Sequence, residues 1–150
     1  MKETNILIKR IGDHGLPVPI YESEGASGMD LRACLEKKFL LNPGYQKLFQ
    51  CGFAISLPEG YEGQVRPRSG LANKHGITVL NSPGTIDNGY SGQIGIILIN
   101  HSLEIFTVEH GDRIAQLVIN KVEHANFEEV TEFPHETARG SGGFGSTGKK

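Results

Sequence analysis

No long stretch of this chain sets its apolar residues at helical spacing; short runs of β-branched and aromatic residues recur instead between turn signals. The runs are TNILIKR (4–10), DLRACLE (30–36), YQKLFQCGFAISL (45–57), EGQVRP (62–67), ITVLN (77–81), GQIGIILIN (92–100), LEIFTVEH (103–110), RIAQLVINKVE (113–123) and FEEVTEF (127–133). Strands this short bury their alternating faces only by pairing into sheets that cover one another, so the expectation is an all-β sandwich or barrel-like domain. NPG at 42–44 puts Pro and Gly where a tight type II turn needs them. SGLANKHG (69–76) is the one helical candidate, with Ser69 as N-cap and Gly76 as terminator.

At 150 residues the chain is long enough for a single core without staples. Fifteen basic against 17 acidic residues draw it neither to nucleic acid nor to a membrane surface. There is no run of 18 apolar residues, and MKETNILIKRIGDHGLPVP lacks the apolar region of a signal peptide, so a cytoplasmic protein is expected. Cys34 and Cys51 lie in apolar-alternating stretches and read as small core hydrophobes. The six histidines show neither H-E-x-x-H nor H-x-x-x-H, which argues against a zinc site and for surface positions.

Four loops carry more polar chemistry than turns require. In ASGMDLRA (26–33), Asp30 stands at the mouth of a strand, where an Asp is ordinarily a turn residue. In RPRSGLA (66–72), Arg68 precedes the start of the helical piece at Ser69 and Gly70, offering a planar donor fork beside free N–H groups. Solvated arginines beside a capped turn would look the same. VLNSPGTIDNGYSGQIGIILIN (79–100) reads as two strands joined by an irregular hairpin that delivers one carboxylate, Asp87, and one aromatic, Tyr90. A carboxylate among apolar β-formers needs a partner or a purpose. Gly95 interrupts the returning strand, by close approach of a ligand or by a bulge. In GDRIAQLV (111–118), Gln116 falls two residues after Ile114 on the expected apolar face, as a satisfied core amide or a ligand contact.

The chain closes with RGSGGFGSTGKK (139–150). From Gly143 the stretch nearly fits G-x-x-x-x-G-K-[ST], but Lys150 stands at the last position and no helix follows in the sequence, so the phosphate-loop reading fails. A Gly/Ser-rich terminus is ordinarily a mobile tail. Phe144 among the glycines, with Arg139, Ser146 and Thr147, is more than a spacer needs.

Taken in order, ASGMDLRA, PRSGLA, NSPGTIDNGYSGQI, GDRIAQL and RGSGGFGSTG resemble the five motifs of the trimeric dUTPases, over residues 26 to 148. The resemblance implies a distorted β jelly roll for residues 1–138 and a flexible Gly-rich flap over 139–150. It also implies a homotrimer in which the flap of one chain closes over a site formed by the other two. The implied reaction is hydrolysis of dUTP to dUMP and pyrophosphate with Mg²⁺, which limits uracil in DNA and supplies dUMP for thymidylate synthesis. No membrane or stable nucleic-acid partner is implied.

By the same resemblance Asp87 activates the water that attacks the α-phosphorus, and Asp30 meets Mg²⁺ through a water. Arg68, Ser69, Gly70, Gln116, Arg139, Ser146 and Thr147 match phosphate contacts, and Gly145 matches a substrate-binding position. Asn81 matches the side chain that bonds uracil, with the backbone of Thr85, Ile86 and Asp87 and Gly95 nearby. Tyr90 would lie against the deoxyribose and exclude a 2′-hydroxyl, while Phe144 would stack on the base. Many members carry a second acid where this chain has Gly89. Related dCTP deaminases share the fold but would require a catalytic Glu. The same segments would also suit a dUTP-responsive regulator, and an inert β-structural oligomer is the blandest reading of them.

Overall fold

A computed structural model describes residues 4–135 and 137–143. Ten strands and one helix follow in order: β1 (Leu7–Arg10), β2 (Met29–Arg32), β3 (Phe39–Leu41), β4 (Gln46–Ser56), β5 (Tyr61–Arg66), α1 (Ser69–His75), β6 (Ile77–Val79), β7 (Gly84–Ile86), β8 (Gln93–Asn100), β9 (Phe106–Val108) and β10 (Arg113–Lys121). One sheet runs β1-β4-β8-β6, a second β2-β10-β5-β7, and β3 pairs with β9. Each pairing is antiparallel, and non-consecutive strands lie side by side, as in a distorted jelly roll.

The core lies between the two four-stranded sheets. Strict alternation in β8 turns Ile94, Ile96 and Leu98 inward, against Phe49 of β4 and Leu31, Val65, Ala115 and Leu117 of the other sheet. Each of these side chains other than Ala115 contributes about 1.5–3 kcal/mol by burial. Asn100 ends β8 fully buried and fully bonded. Its Nδ2 donates to the carbonyls of Leu41 (2.9 Å) and Glu104 (2.8 Å), and its Oδ1 accepts from Ser102. Cys51 is buried and Cys34 packs at the core margin, both as free thiols.

Alternation fails in β4, where Cys51 to Ile55 are all buried. Gln50 opposes Gly95 and Ala54 opposes Gln93, so β4 spends extra residues in a bulge at Gly52 (φ 82°). The bulge anchors the loop after β1. The Leu16 N–H donates to His14 Nδ1 (3.1 Å), which leaves Nε2 to carry the proton and donate to the Gly52 carbonyl (2.8 Å). The other five histidines are exposed.

Several expectations need correction. Residues 127–133 form no strand: Phe127 is 93% exposed and Phe133 86%, and nothing among the described residues pairs with the segment. The 103–110 run shrinks to β9, and the short β3 has no counterpart among the expected runs. The 79–100 hairpin is three pieces, because the chain leaves the first sheet after β6 and joins the second as β7. The turn at 42–44 forms as expected, with Tyr45 N–H donating to Asn42 O (3.1 Å) and Gly44 at φ 76°.

Candidate active site

Polar side chains gather where the second sheet meets the start of α1. In the register Gln116 of β10 lies between Asp30 of β2 and Arg66 of β5. Gln116 therefore sits on the outer face, not the apolar one expected. The register shift between Arg113 and Ala115 moves the alternation by one residue, so Ala115 and Leu117 point into the core instead. Its Nε2 donates to the Pro67 carbonyl (2.9 Å). A Cβ at Gly28 would come within 2.6 Å of Gln116 Oε1, so the glycine of ASGMD leaves room for that amide.

Asp30 faces two guanidinium groups. Arg68 Nε lies 2.9 Å from Oδ1 and Arg113 Nη1 3.2 Å from Oδ2, while Arg68 Nη1 donates to the Arg113 carbonyl (3.1 Å). One carboxylate against two cations leaves a positive surplus suited to an anion. The Arg68 side chain is 28% exposed, and a partly exposed pair of this kind contributes only ~0–1 kcal/mol, so Arg68 can exchange its partner at little cost. Sequence reasoning misses Arg113. Its signal is the position directly after the Gly-Asp turn: Asp112 accepts from Glu109 N–H (2.8 Å) to close that turn, and Arg113 is left facing Asp30.

Helix α1 differs at its start from the expectation. Arg68, extended at φ −95° and ψ 128°, is the N-cap residue, and no side chain caps the helix. Ser69 is already the first helical residue because Arg68 follows Pro67 in extended backbone. Among the described residues no side chain accepts from the first-turn N–H groups of exposed Ser69 and Gly70. Gly76 terminates the helix in the left-handed region as expected (φ 62°).

A second polar group lies on the hairpin. Gly84 and Ile86 of β7 are buried against β5, which turns Thr85 and Asp87 outward. Asn81 is exposed just before the bend, its Nδ2 3.3 Å from where a Cβ on Gly84 would stand. Tyr90 is half-exposed and donates its hydroxyl to the Gln93 carbonyl (2.9 Å). β8 is continuous at Gly95, which stands opposite Gln50 at the edge of the bulge in β4, and a Cβ there would meet Leu48 Cδ1 at 2.7 Å. Gly89 has open space around it.

Asp87 and Arg68 do not meet within one chain. Ile86 lies opposite Gly63, Arg68 follows Gly63 by five residues of extended backbone, and Asp87 continues the other way. At ~3.3 Å per residue Asp87 and Arg68 are separated by roughly 16 Å or more. Among the described residues Arg139 bonds within its own turn, through Nε to the Gly142 carbonyl (2.9 Å). Phe144, Gly145, Ser146 and Thr147 lie outside the described residues. Among the described residues no three His, Cys, Asp or Glu side chains cluster as metal ligands, and no helix is long and apolar enough to cross a membrane.

Comparison with known proteins gives a consistent set of relatives. The sequence profile of the dUTPase family matches residues 15–148. A deoxyuridine 5'-triphosphate nucleotidohydrolase of Rhizobium etli is 54% identical over 144 residues, covering 95% of this chain and 92% of that protein. One from Ehrlichia canis is 52% identical over 148 residues, covering 97% of each. Among solved structures, a Staphylococcus bacteriophage 80alpha dUTPase with dUPNHPP superposes with a TM-score of 0.83 at 26% identity, covering 97% of this chain and 99% of that one. A phage phi11 dUTPase, whose structure describes coordination of a structural Mg(II) ion, shares the fold with a TM-score of 0.76 at 23% identity, covering 88% and 100%.

Proposed function

The chain belongs to the dUTPase family and hydrolyses dUTP to dUMP and pyrophosphate, and we propose that its active site is assembled between copies of the chain. The observation that carries this is the separation of Asp87 from Arg68 by the length of β5. A single α-phosphate cannot touch both from one chain. Copies arranged around a threefold axis would bring the hairpin of one against the Arg68 cluster of another. Phe127 and Phe133, 93% and 86% exposed, are two large apolar side chains that a neighbouring copy would cover. Residues 1–138 form the β domain of this trimer, and residues 139–150 are its flap.

Asp87 is the base of the reaction. Its exposed carboxylate accepts a proton from water, the water oxygen bonds to the α-phosphorus, and the bond from that phosphorus to the bridging oxygen breaks, so that pyrophosphate leaves. Arg68, Gln116 and the N–H groups of Ser69 and Gly70 receive the triphosphate oxygens. Arg68 turns from Asp30 to the phosphates, and Arg113 remains to hold the carboxylate. Chemistry of this kind depends on positioning and charge neutralisation, which suits a site rich in donors.

The residues fit Mg²⁺ carried by the nucleotide, since this ion keeps several waters and uses one or two carboxylates together with phosphates. Asp30, already bonded to two arginines, would meet it through a water. When bound, the ion neutralises phosphate charge. The Asn81 side chain, the backbone of residues 85–87 and Gly95 hold uracil. Tyr90 stands against the deoxyribose. Phe144 stacks on the base, and Arg139, Gly145, Ser146 and Thr147 close over the phosphates. Two free thiols suit a reducing compartment, and we place the protein in the cytoplasm.

Subunit complementation tests the shared site. Asp87→Asn and Arg68→Ala homotrimers should each lose about 10²-fold or more in activity towards dUTP. Unfolded and refolded together in equal amounts, they should recover up to about a quarter of wild-type activity, from sites that draw Arg68 and Asp87 from different chains. No recovery, with mixed trimers shown to form, would mean that each site is built within one chain.

A further inference from the structure

Tyr90 rests on bare backbone. Its ring folds back over the loop that leads into β8, and its hydroxyl donates to the Gln93 carbonyl (2.9 Å). A Cβ built on Gly92 would stand 2.6 Å from Tyr90 Cζ and 2.9 Å from Cε2, and nearer still to Oη. Carbon atoms in contact settle at about 3.5–4.0 Å, so any side chain at 92 would drive the ring back by roughly 1 Å. The backbone sets no such demand, because Gly92 lies outside the left-handed region where glycine is favoured. Gly89, three residues before it in the same loop, meets nothing within 4 Å among the described residues. One of these two glycines is tied to the tyrosine ring, and the other is not.

We propose that Gly92 is a positioning residue for sugar selection: its missing side chain, with the Gln93 carbonyl, sets the height of the Tyr90 ring. The inference rests on the reading above, in which that ring is the wall against the deoxyribose. A wall excludes one extra oxygen only while its position is fixed to a fraction of an ångström, and a half-exposed tyrosine has no core packing to fix it. The seat supplies that constraint at two points, close contact under the ring and a hydrogen bond at its tip. The atoms that clash with a Cβ are the far end of the tyrosine, so a substitution at 92 displaces the ring and leaves the sheet intact.

The test compares Gly92→Ala with wild type and with Gly89→Ala, using dUTP and UTP as substrates. Gly92→Ala should raise KM for dUTP and lower the preference for dUTP over UTP at least tenfold, with thermal stability retained, while Gly89→Ala moves neither. In a Tyr90→Ala background, Gly92→Ala should add nothing, because no ring remains to displace. An unchanged preference in folded Gly92→Ala, or a full additive loss in the Tyr90→Ala background, overturns the proposal. Tyr90→Phe removes only the bond to Gln93 and should narrow the preference by a smaller factor. An unchanged preference there overturns the two-point seat, even if the Gly92 variant cannot be purified. Failure of the wild type to discriminate against UTP would instead overturn the assignment of Tyr90 to the sugar.

Discussion

Arg68 donates through Nε to Asp30 Oδ1 over 2.9 Å, while Arg113 holds the other oxygen of the same carboxylate at 3.2 Å. The pair with Arg68 is partly exposed and energetically light, so its loss should matter far more to turnover than to folding. Arg68→Ala is expected to leave thermal stability within a few degrees of wild type and to lower kcat/KM for dUTP by about 10²-fold or more. Arg68→Lys should not rescue fully, because an ammonium cannot replace a planar donor fork. Steady-state kinetics beside a thermal melt checks both halves. A collapse of stability would show that the pair is structural.

Gly28 is expected to act at a distance from any ligand, through Gln116. A Cβ there meets Oε1 of the amide, the movable end of the side chain, so the protein should fold but lose the hold of Nε2 on the Pro67 carbonyl. Gly28→Ala should raise KM for dUTP several-fold with little change in the unfolding midpoint. In a Gln116→Ala background the same substitution should be silent, and a double-mutant cycle measures the coupling.

Cys51 makes stability depend on alkaline pH. Burial pushes its thiol up to about 11 from an ordinary value of 9.0. Below pH 9 the thiol is protonated in both states and has no effect. Above pH 9 the unfolded chain releases the proton while the folded chain keeps it, so the unfolded state binds fewer protons and stability falls as pH rises towards 11. A shift of this size corresponds to roughly 2–3 kcal/mol. Cys51→Ala should be less stable at neutral pH, because it leaves a cavity, yet show a flatter decline between pH 9 and 11. Urea unfolding of both proteins across that range gives the difference, with other alkaline titrations common to both.

Strands are legible in the sequence where one face is buried throughout, as in β8, whose isoleucines and leucine alternate without interruption. Legibility ends where pairing, not pattern, decides. FEEVTEF sets Phe127, Val130 and Phe133 three apart rather than two, and no partner strand lies among the described residues, so it forms none. Gln116 falls on the opposite face from its apparent one because one register shift reverses the alternation after it. The motifs name the functional residues in order, but order along a chain carries no distance. That Asp87 and Arg68 lie apart along β5 follows only from the Gly63–Ile86 register. Likewise Gly92 and Gly89 look alike as letters and differ only in what a Cβ would strike.

The last segments separate assembly from turnover. Phe127 and Phe133, 93% and 86% exposed, lie before the Gly-rich end, whereas Arg139 and the residues after it are assigned to closure over the nucleotide. Removing residues 139–150 should therefore leave the trimer intact by light scattering, while kcat for dUTP falls by about 10²-fold or more through lost stacking and phosphate contacts. The pair of substitutions Phe127→Ser and Phe133→Ser should do the reverse. If these rings are covered by a neighbouring copy, trimer formation becomes concentration-dependent in the micromolar range, and activity falls on dilution and returns on concentration. Activity proportional to protein concentration throughout, with the rings replaced, would show that they take no part in assembly.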